Sequence, residues 1–139
     1  MADYANVVTS DAAHPEMVTY THIIYALHAT SVVLGLATSA TVVGSFLFSI
    51  PSIVAVIMNY ARISAVRGTI LESHFRWQIR TFWFAALWTL ITWAVSLPLM
   101  LIAVGFVTLV GGIGLVCLWI IYRVGRGWLA LRERVPMPV

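Results

Sequence analysis

Two stretches of the chain, residues 17–61 and 81–122, each run for more than 40 residues without an Asp, Glu, Lys or Arg. One helix of that length would exceed ~60 Å at about 1.5 Å per residue, roughly twice the ~30 Å hydrocarbon core of a bilayer. Each run therefore predicts a helical hairpin, and the pair predicts four spanning helices at about 18–38, 43–62, 76–100 and 107–128. The small, hydroxylated string Ala37-Thr38-Ser39-Ala40-Thr41 marks the first turn. Pro98, Gly105 and the Gly111-Gly112-Ile113-Gly114 cluster punctuate the second, the glycines serving equally well as a close-packing face of helix four. Pro51 falls inside helix two, where its missing N–H and its ring predict a kink. The expected fold is all-α: an integral membrane four-helix bundle of two transmembrane hairpins, with residues 1–16 and 131–139 as tails around a domain at 17–130.

Before the third span the pattern changes character. In Ser73-His74-Phe75-Arg76-Trp77-Gln78-Ile79-Arg80-Thr81-Phe82-Trp83 a helix would carry three faces. Glu72, Arg76 and Arg80 form a charged stripe, Phe75, Ile79, Phe82 and Ala86 an apolar one, and His74, Gln78, Thr81 and Ala85 a neutral, mostly polar one. Three faces at a membrane edge predict an interfacial helical segment feeding into the span, its arginine stems reaching phosphates and Trp77 and Trp83 lying at headgroup level. The alternative is that the His74, Gln78 and Thr81 face meets a partner or an anionic ligand, an anion shared by Arg76 and Arg80 relieving their mutual repulsion.

Composition agrees with a lipid environment. The chain is 61% hydrophobic and 9% charged, with a mean hydropathy of +0.96, whereas soluble domains carry about 25% charged residues. All eight basic residues are arginines, and they fall in two places: Arg62, Arg67, Arg76 and Arg80 between the hairpins, Arg123, Arg126, Arg132 and Arg134 after the second. The positive-inside rule then puts the middle loop and C-terminus in the cytoplasm, and an even number of spans brings the N-terminus there too, despite Asp3, Asp11 and Glu16. A pI near 9.5 accordingly reflects anchoring to anionic headgroups by Arg62, Arg67, Trp77, Trp83, Arg123, Arg126 and Trp128, and not a nucleic-acid surface. Tyr60-Ala61-Arg62 with Arg67-Gly68, and Tyr122-Arg123 with Arg126-Gly127, hint at a duplicated hairpin. The acidic N-terminal stretch is unlike a signal peptide and no lipidation motif is visible; lone Cys117 leaves the redox compartment open.

Helix one holds the candidate chemistry. Thr21, Tyr25, His28, Val32, Gly35 and Ser39 recur on one face, which should turn into the bundle, because a polar group facing lipid lacks partners. His22 sits one residue off that face, level with Asn59 and Tyr60 of helix two, so an interhelical hydrogen bond is expected there. Intramembrane histidines are either such bonds or proton, haem or metal ligands. Both His22 and His28 lie on one helix while helices two and four have none, which disfavours bis-histidine haem. His14 and His74 could approach His22, but no zinc-type spacing supports a metal site. Trp88, Trp93 and Trp119 lie deep, either packed on the glycines of helix four or lining a slot for quinone or lipid. Acidic residues are absent from the spans, which speaks against carboxylate-coupled transport or a di-iron site.

The segments Thr21-His22-Ile23-Ile24-Tyr25-Ala26-Leu27-His28-Ala29, Pro51-Ser52-Ile53 with Asn59-Tyr60, Arg67-Gly68-Thr69, the block from Glu72 through Trp83, and Tyr122-Arg123 with Gly127-Trp128 together resemble the MamF/MmsF-like family of small bacterial membrane proteins, itself distantly similar to the Tic20-type chloroplast translocon component. The resemblance spans about residues 17–138. It implies a compact helical protein of a bacterial inner membrane with no established catalytic activity. The expected function is non-enzymatic: an oligomeric or accessory assembly component of a membrane complex, without cofactor, contacting the bilayer, anionic headgroups and copies of itself or other subunits. The alternatives are a small-molecule protein, binding quinone, haem or lipid, or an oligomeric pore or translocation component. Ligand or partner contacts fall on His22, Tyr25, His28, Asn59, Glu72, His74, Arg76, Gln78 and Arg80.

Overall fold

A computed structural model describes residues 15–38 and 42–138, with side chains for 15–35 and 50–138. Among the described residues there are four α-helices and no strand. They are α1 (Pro15–Thr38), α2 (Val42–Arg62), α3 (Ile70–Leu99) and α4 (Val104–Arg132), with 3-10 turns at Ile63–Val66 and Met100–Ile102. α1 packs chiefly on α2 and α3 chiefly on α4, so the two hairpins are the units of the fold. The turn of the first hairpin lies outside the described residues. α1, α3 and α4 are long and apolar enough to cross a membrane. α2, with 21 residues, is about 30 Å long and matches the hydrocarbon thickness. This is a helical membrane bundle.

α3 starts at Ile70, earlier than the span expected from Arg76, and the reason is local. Thr69 caps the helix, its hydroxyl accepting the Leu71 N–H at 3.2 Å, while the Glu72 carboxylate accepts the Gly68 N–H at 2.9 Å. This is a variant of the capping box, which satisfies donors that the first helical turn leaves free. Gly68 has φ +76°, a conformation that favours glycine. At 30 residues α3 is about 45 Å long, so its first two to three turns, bearing Glu72 and Arg76, stand outside a ~30 Å core. The Gly68 N–H and then the Arg76 guanidinium, 2.7 Å from the carboxylate, hold Glu72 below the ordinary glutamate range.

The second hairpin closes through Ala103, in the left-handed region with φ 61°, whose N–H bonds the Met100 carbonyl. Gly105 is more than punctuation: a Cβ there would collide with backbone atoms of Ser96, Leu99 and Met100. Gly112 similarly lies under the Thr92 side chain, whereas Gly111 and Gly114 face open space. The glycine cluster therefore divides, one member packing inside the hairpin and two lying on its outer surface.

All eight arginines gather at one end of the bundle, where α2 ends, α3 begins and α4 ends. The buried apolar cluster is at the same end: Met17, Ile24, Tyr25, Ala55, Val66, Ile70, Leu71, Phe75, Val124 and Leu131. Its position follows from the solvent. Burying apolar groups is worth about 25 cal/mol per Å² only where the alternative is water, and lipid tails offer no such penalty. Away from this end the second hairpin is largely uncovered: Leu87, Trp88, Leu90, Trp93, Phe106, Val107, Val110, Leu115 and Leu118 are all exposed.

Candidate functional site

The polar stripe of α1 does turn inward. Thr21, Tyr25 and His28 are buried, as is Ser31; Val32 and Gly35 are partly covered, and Ser39 lies outside the described residues. At the arginine-rich end this stripe meets a second polar face, His74, Gln78 and Thr81 of α3, equally buried. The α3 face, offered above as an alternative site for a partner or an anionic ligand, turns into the bundle, where α1 supplies complementary polar groups.

One imidazole ties three parts of the chain together. His74 Nδ1 lies 2.9 Å from the Tyr25 hydroxyl, and His74 Nε2 lies 3.0 Å from the Val135 carbonyl. A carbonyl only accepts, so Nε2 carries the proton and Nδ1 accepts from tyrosine. The rings of Tyr25 and His74 meet edge-on, with centroids 6.0 Å apart. Gly127 makes room on α4: a Cβ there would sit 2.5 Å from the Tyr25 hydroxyl oxygen and 2.8 Å from its ring. The C-terminal segment is held alongside, the Met137 N–H donating to Ser73 Oγ at 2.9 Å and the Met137 side chain being buried.

Arg123 completes the seam. Its Nε donates to Thr81 Oγ1 at 2.7 Å, its guanidinium lies 3.6 Å from the centroid of Trp77 and 5.0 Å from that of Trp119, and its carbonyl accepts Trp77 Nε1–H at 3.1 Å. Trp77 and Arg123, expected as membrane-interface anchors, hold α3 to α4. The ring faces of Trp77 and Trp119 attract the guanidinium, whose charge meets no carboxylate among the described residues. Asn59 and Gln78 are almost fully buried, Gln78 close to the Tyr25 hydroxyl, yet neither amide makes a well-formed hydrogen bond among the described residues. His28 Nδ1 lies 3.2 Å from Ser52 Oγ of α2.

Other expectations fare differently. His22 does not reach Asn59; its Nδ1 accepts Trp128 Nε1–H at 3.0 Å. Being one residue off the α1 stripe turns it about 100° around the helix, toward α4 and away from α2. Trp128, expected as a headgroup anchor, thereby also bonds within the protein. Glu72 and Arg76 pair with each other, and Arg80 is exposed. Trp83 is 57% exposed and donates to the Tyr60 hydroxyl at 3.1 Å, which suits an interfacial anchor. Arg62 lies over the Tyr20 ring, Arg67 is exposed, and exposed Arg126 donates to the Tyr122 hydroxyl at 2.8 Å. Trp88 and Trp93, 51% and 44% exposed, lie on the outer surface and line no interior slot. His14 lies outside the described residues, among which no group of His, Cys, Asp and Glu could hold a metal.

Chemically, the seam is a set of interhelical hydrogen bonds joining tyrosine, histidine, threonine and arginine, in which Arg123 Nη2 and His28 Nε2 are buried without a partner among the described residues. Val135, Met137, Ser52 and Ser31 escaped the reading of the sequence, since a backbone carbonyl and scattered serines carry no spacing signal. Comparison of the chain with protein-family models, with curated proteins and with solved structures finds no match.

Proposed function

We propose that this chain is a non-enzymatic component of a bacterial inner membrane that works by assembly, with further copies of itself or with other membrane subunits, its arginine-rich end and both termini in the cytoplasm. The observation that carries the reading is the uncovered outer surface of the second hairpin. Lipid tails are as apolar as leucine, so helices associate in a bilayer where backbones can approach closely. On the outer face of α4, Gly111 and Gly114 each have nothing within 4 Å of a Cβ position. The orientation rests on the gathering of eight arginines at one end. The likeness to the MamF/MmsF-like family implies a helical protein of a bacterial inner membrane without established catalytic activity, which suits this reading.

The bonding of His22 to Trp128 and of His28 to Ser52 favours a structural use of both imidazoles over haem or quinone ligation. Purification in a gentle detergent followed by native mass spectrometry, an absorbance spectrum and lipid extraction tests the proposal. An oligomer or a complex with a second membrane protein is expected. A monomer with no partner captured by crosslinking in intact membranes overturns it, and a stoichiometric chromophore or quinone turns the reading toward small-molecule binding.

A further inference from the structure

Where α1 and α4 run side by side at the arginine-rich end, His22, Gly125, Trp128, Leu129 and Arg132 line an open groove of about 690 Å³. We propose that this groove binds the phosphate of an anionic phospholipid, the acyl chain lying over Gly125 and Leu129. The inference rests on the chain spanning a membrane and is independent of whether it assembles.

The donor set follows from one hydrogen bond. Indole Nε1–H is a donor only, so the 3.0 Å contact from Trp128 makes His22 Nδ1 an acceptor. The neutral imidazole therefore carries its proton on Nε2, which takes no partner among the described residues. Arg132, on the last turn of α4, brings a guanidinium to the same groove. Two N–H donors of different kinds thus belong to residues lining one groove, one of them permanently charged, and no carboxylate is among the lining residues. That is the complement of a phosphate oxygen cluster, which guanidinium binds through paired, charge-assisted bonds.

The remaining surface explains why the phosphate should belong to a lipid. Gly125 has open space where a Cβ would stand, and Leu129 is 57% exposed beside it, so the floor next to the donors is apolar and shaped by a missing side chain. A free phosphate would leave that floor wet; an acyl chain covers it. Trp128, with its indole N–H committed to His22, presents an amphipathic ring of the kind that settles at headgroup level.

The test uses the full chain purified in a gentle detergent and titrated with phosphatidylglycerol or phosphatidylcholine, bound lipid being counted by native mass spectrometry. One phosphatidylglycerol per chain is expected, preferred over phosphatidylcholine by about tenfold, with the Arg132→Gln and Gly125→Leu variants each losing about tenfold in affinity. Arg126→Gln removes the same charge from a residue that follows Gly125 but does not line the groove, its guanidinium bonding the Tyr122 hydroxyl, and with its exposed charge screened by salt should change binding by less than about twofold. Circular dichroism and elution volume establish that each variant is folded; Gly125→Leu points into open space and should leave both unchanged. Equal binding of phosphatidylcholine, an equal loss in Arg126→Gln, or unaltered binding in Gly125→Leu would each overturn the proposal. Displacement of the lipid by inorganic phosphate at millimolar concentration would do so as well, making the groove a phosphate site without lipid recognition.

Discussion

Replacing Tyr25 with phenylalanine removes one oxygen from the centre of the polar seam and leaves His74 Nδ1 buried without its 2.9 Å donor. An unsatisfied buried polar group costs about 1–3 kcal/mol, while interhelical hydrogen bonds in bilayers average only about 0.6 kcal/mol; a loss of about 1–2 kcal/mol is expected. Gly127→Ala strains the same point from the other side. Its Cβ would lie 2.5, 2.8 and 2.9 Å from three atoms of the tyrosine, an overpacking worth about 1–3 kcal/mol. The closest of the three is the hydroxyl oxygen, so its deletion should relieve part of the clash. Gly127→Ala in the Y25F background should therefore cost less than in the wild type, by about 0.5–1.5 kcal/mol, a coupling characteristic of residues in contact. Reversible unfolding in mixed micelles, followed by circular dichroism, measures all four corners of the cycle. Additivity within about 0.3 kcal/mol, or a Y25F variant as stable as wild type, would refute the geometry from which the figures were drawn.

Three further outcomes are expected. Arg123→Lys should lose stability by about 0.5–2 kcal/mol, the worth of a desolvated cation–π contact, because a point ammonium cannot both face Trp77 and bond Thr81 as the planar guanidinium does; thermal unfolding in detergent measures it. Gly105→Ala should abolish a folded second hairpin, since the atoms in its way are backbone, and loss of helicity with protease sensitivity between α3 and α4 would register this. Glu72, whose folded-state pKa is depressed by the Gly68 N–H and Arg76, contributes stability that is present above its ordinary pKa and lost as pH falls through the folded value. Glu72→Gln should flatten that part of the acid unfolding profile.

The spans and their pairing were legible because lipid imposes a severe rule: long charge-free runs must be helical and must turn back. The inward stripe of α1 was legible for the same reason, as polar groups at Thr21, Tyr25 and His28 have nowhere else to go. The start of α3 was present in the sequence as well: Thr69 followed three residues later by Glu72 is the capping-box signature. The aromatic and arginine pattern beyond it is the stronger signal and points to a later start. What could not be read was which buried groups meet. Placing His22 against Trp128 instead of Asn59 requires the rotation of α1 relative to both neighbours, and one residue of helical phase decides it. Trp77 and Arg123 each look like interfacial anchors taken alone; only the crossing of α3 and α4 turns them into partners of each other. The bond from His74 to the Val135 carbonyl is of the same kind, since any residue could supply that oxygen.

The central claim, that the outer face of the second hairpin is an assembly surface, is tested most directly by cysteine scanning along α4 in native membranes. In a Cys117→Ser background, single cysteines at Gly111, Leu115, Leu118 and Tyr122 sample the exposed face, and cysteines at Ile120 and Val124 sample the side packed on the core. Oxidative crosslinking should link the first set to a second copy, or to a defined larger partner, with helical periodicity, and leave the second set unlinked. The absence of any periodic product across the exposed face, with every position behaving like Ile120 and Val124, would contradict the account.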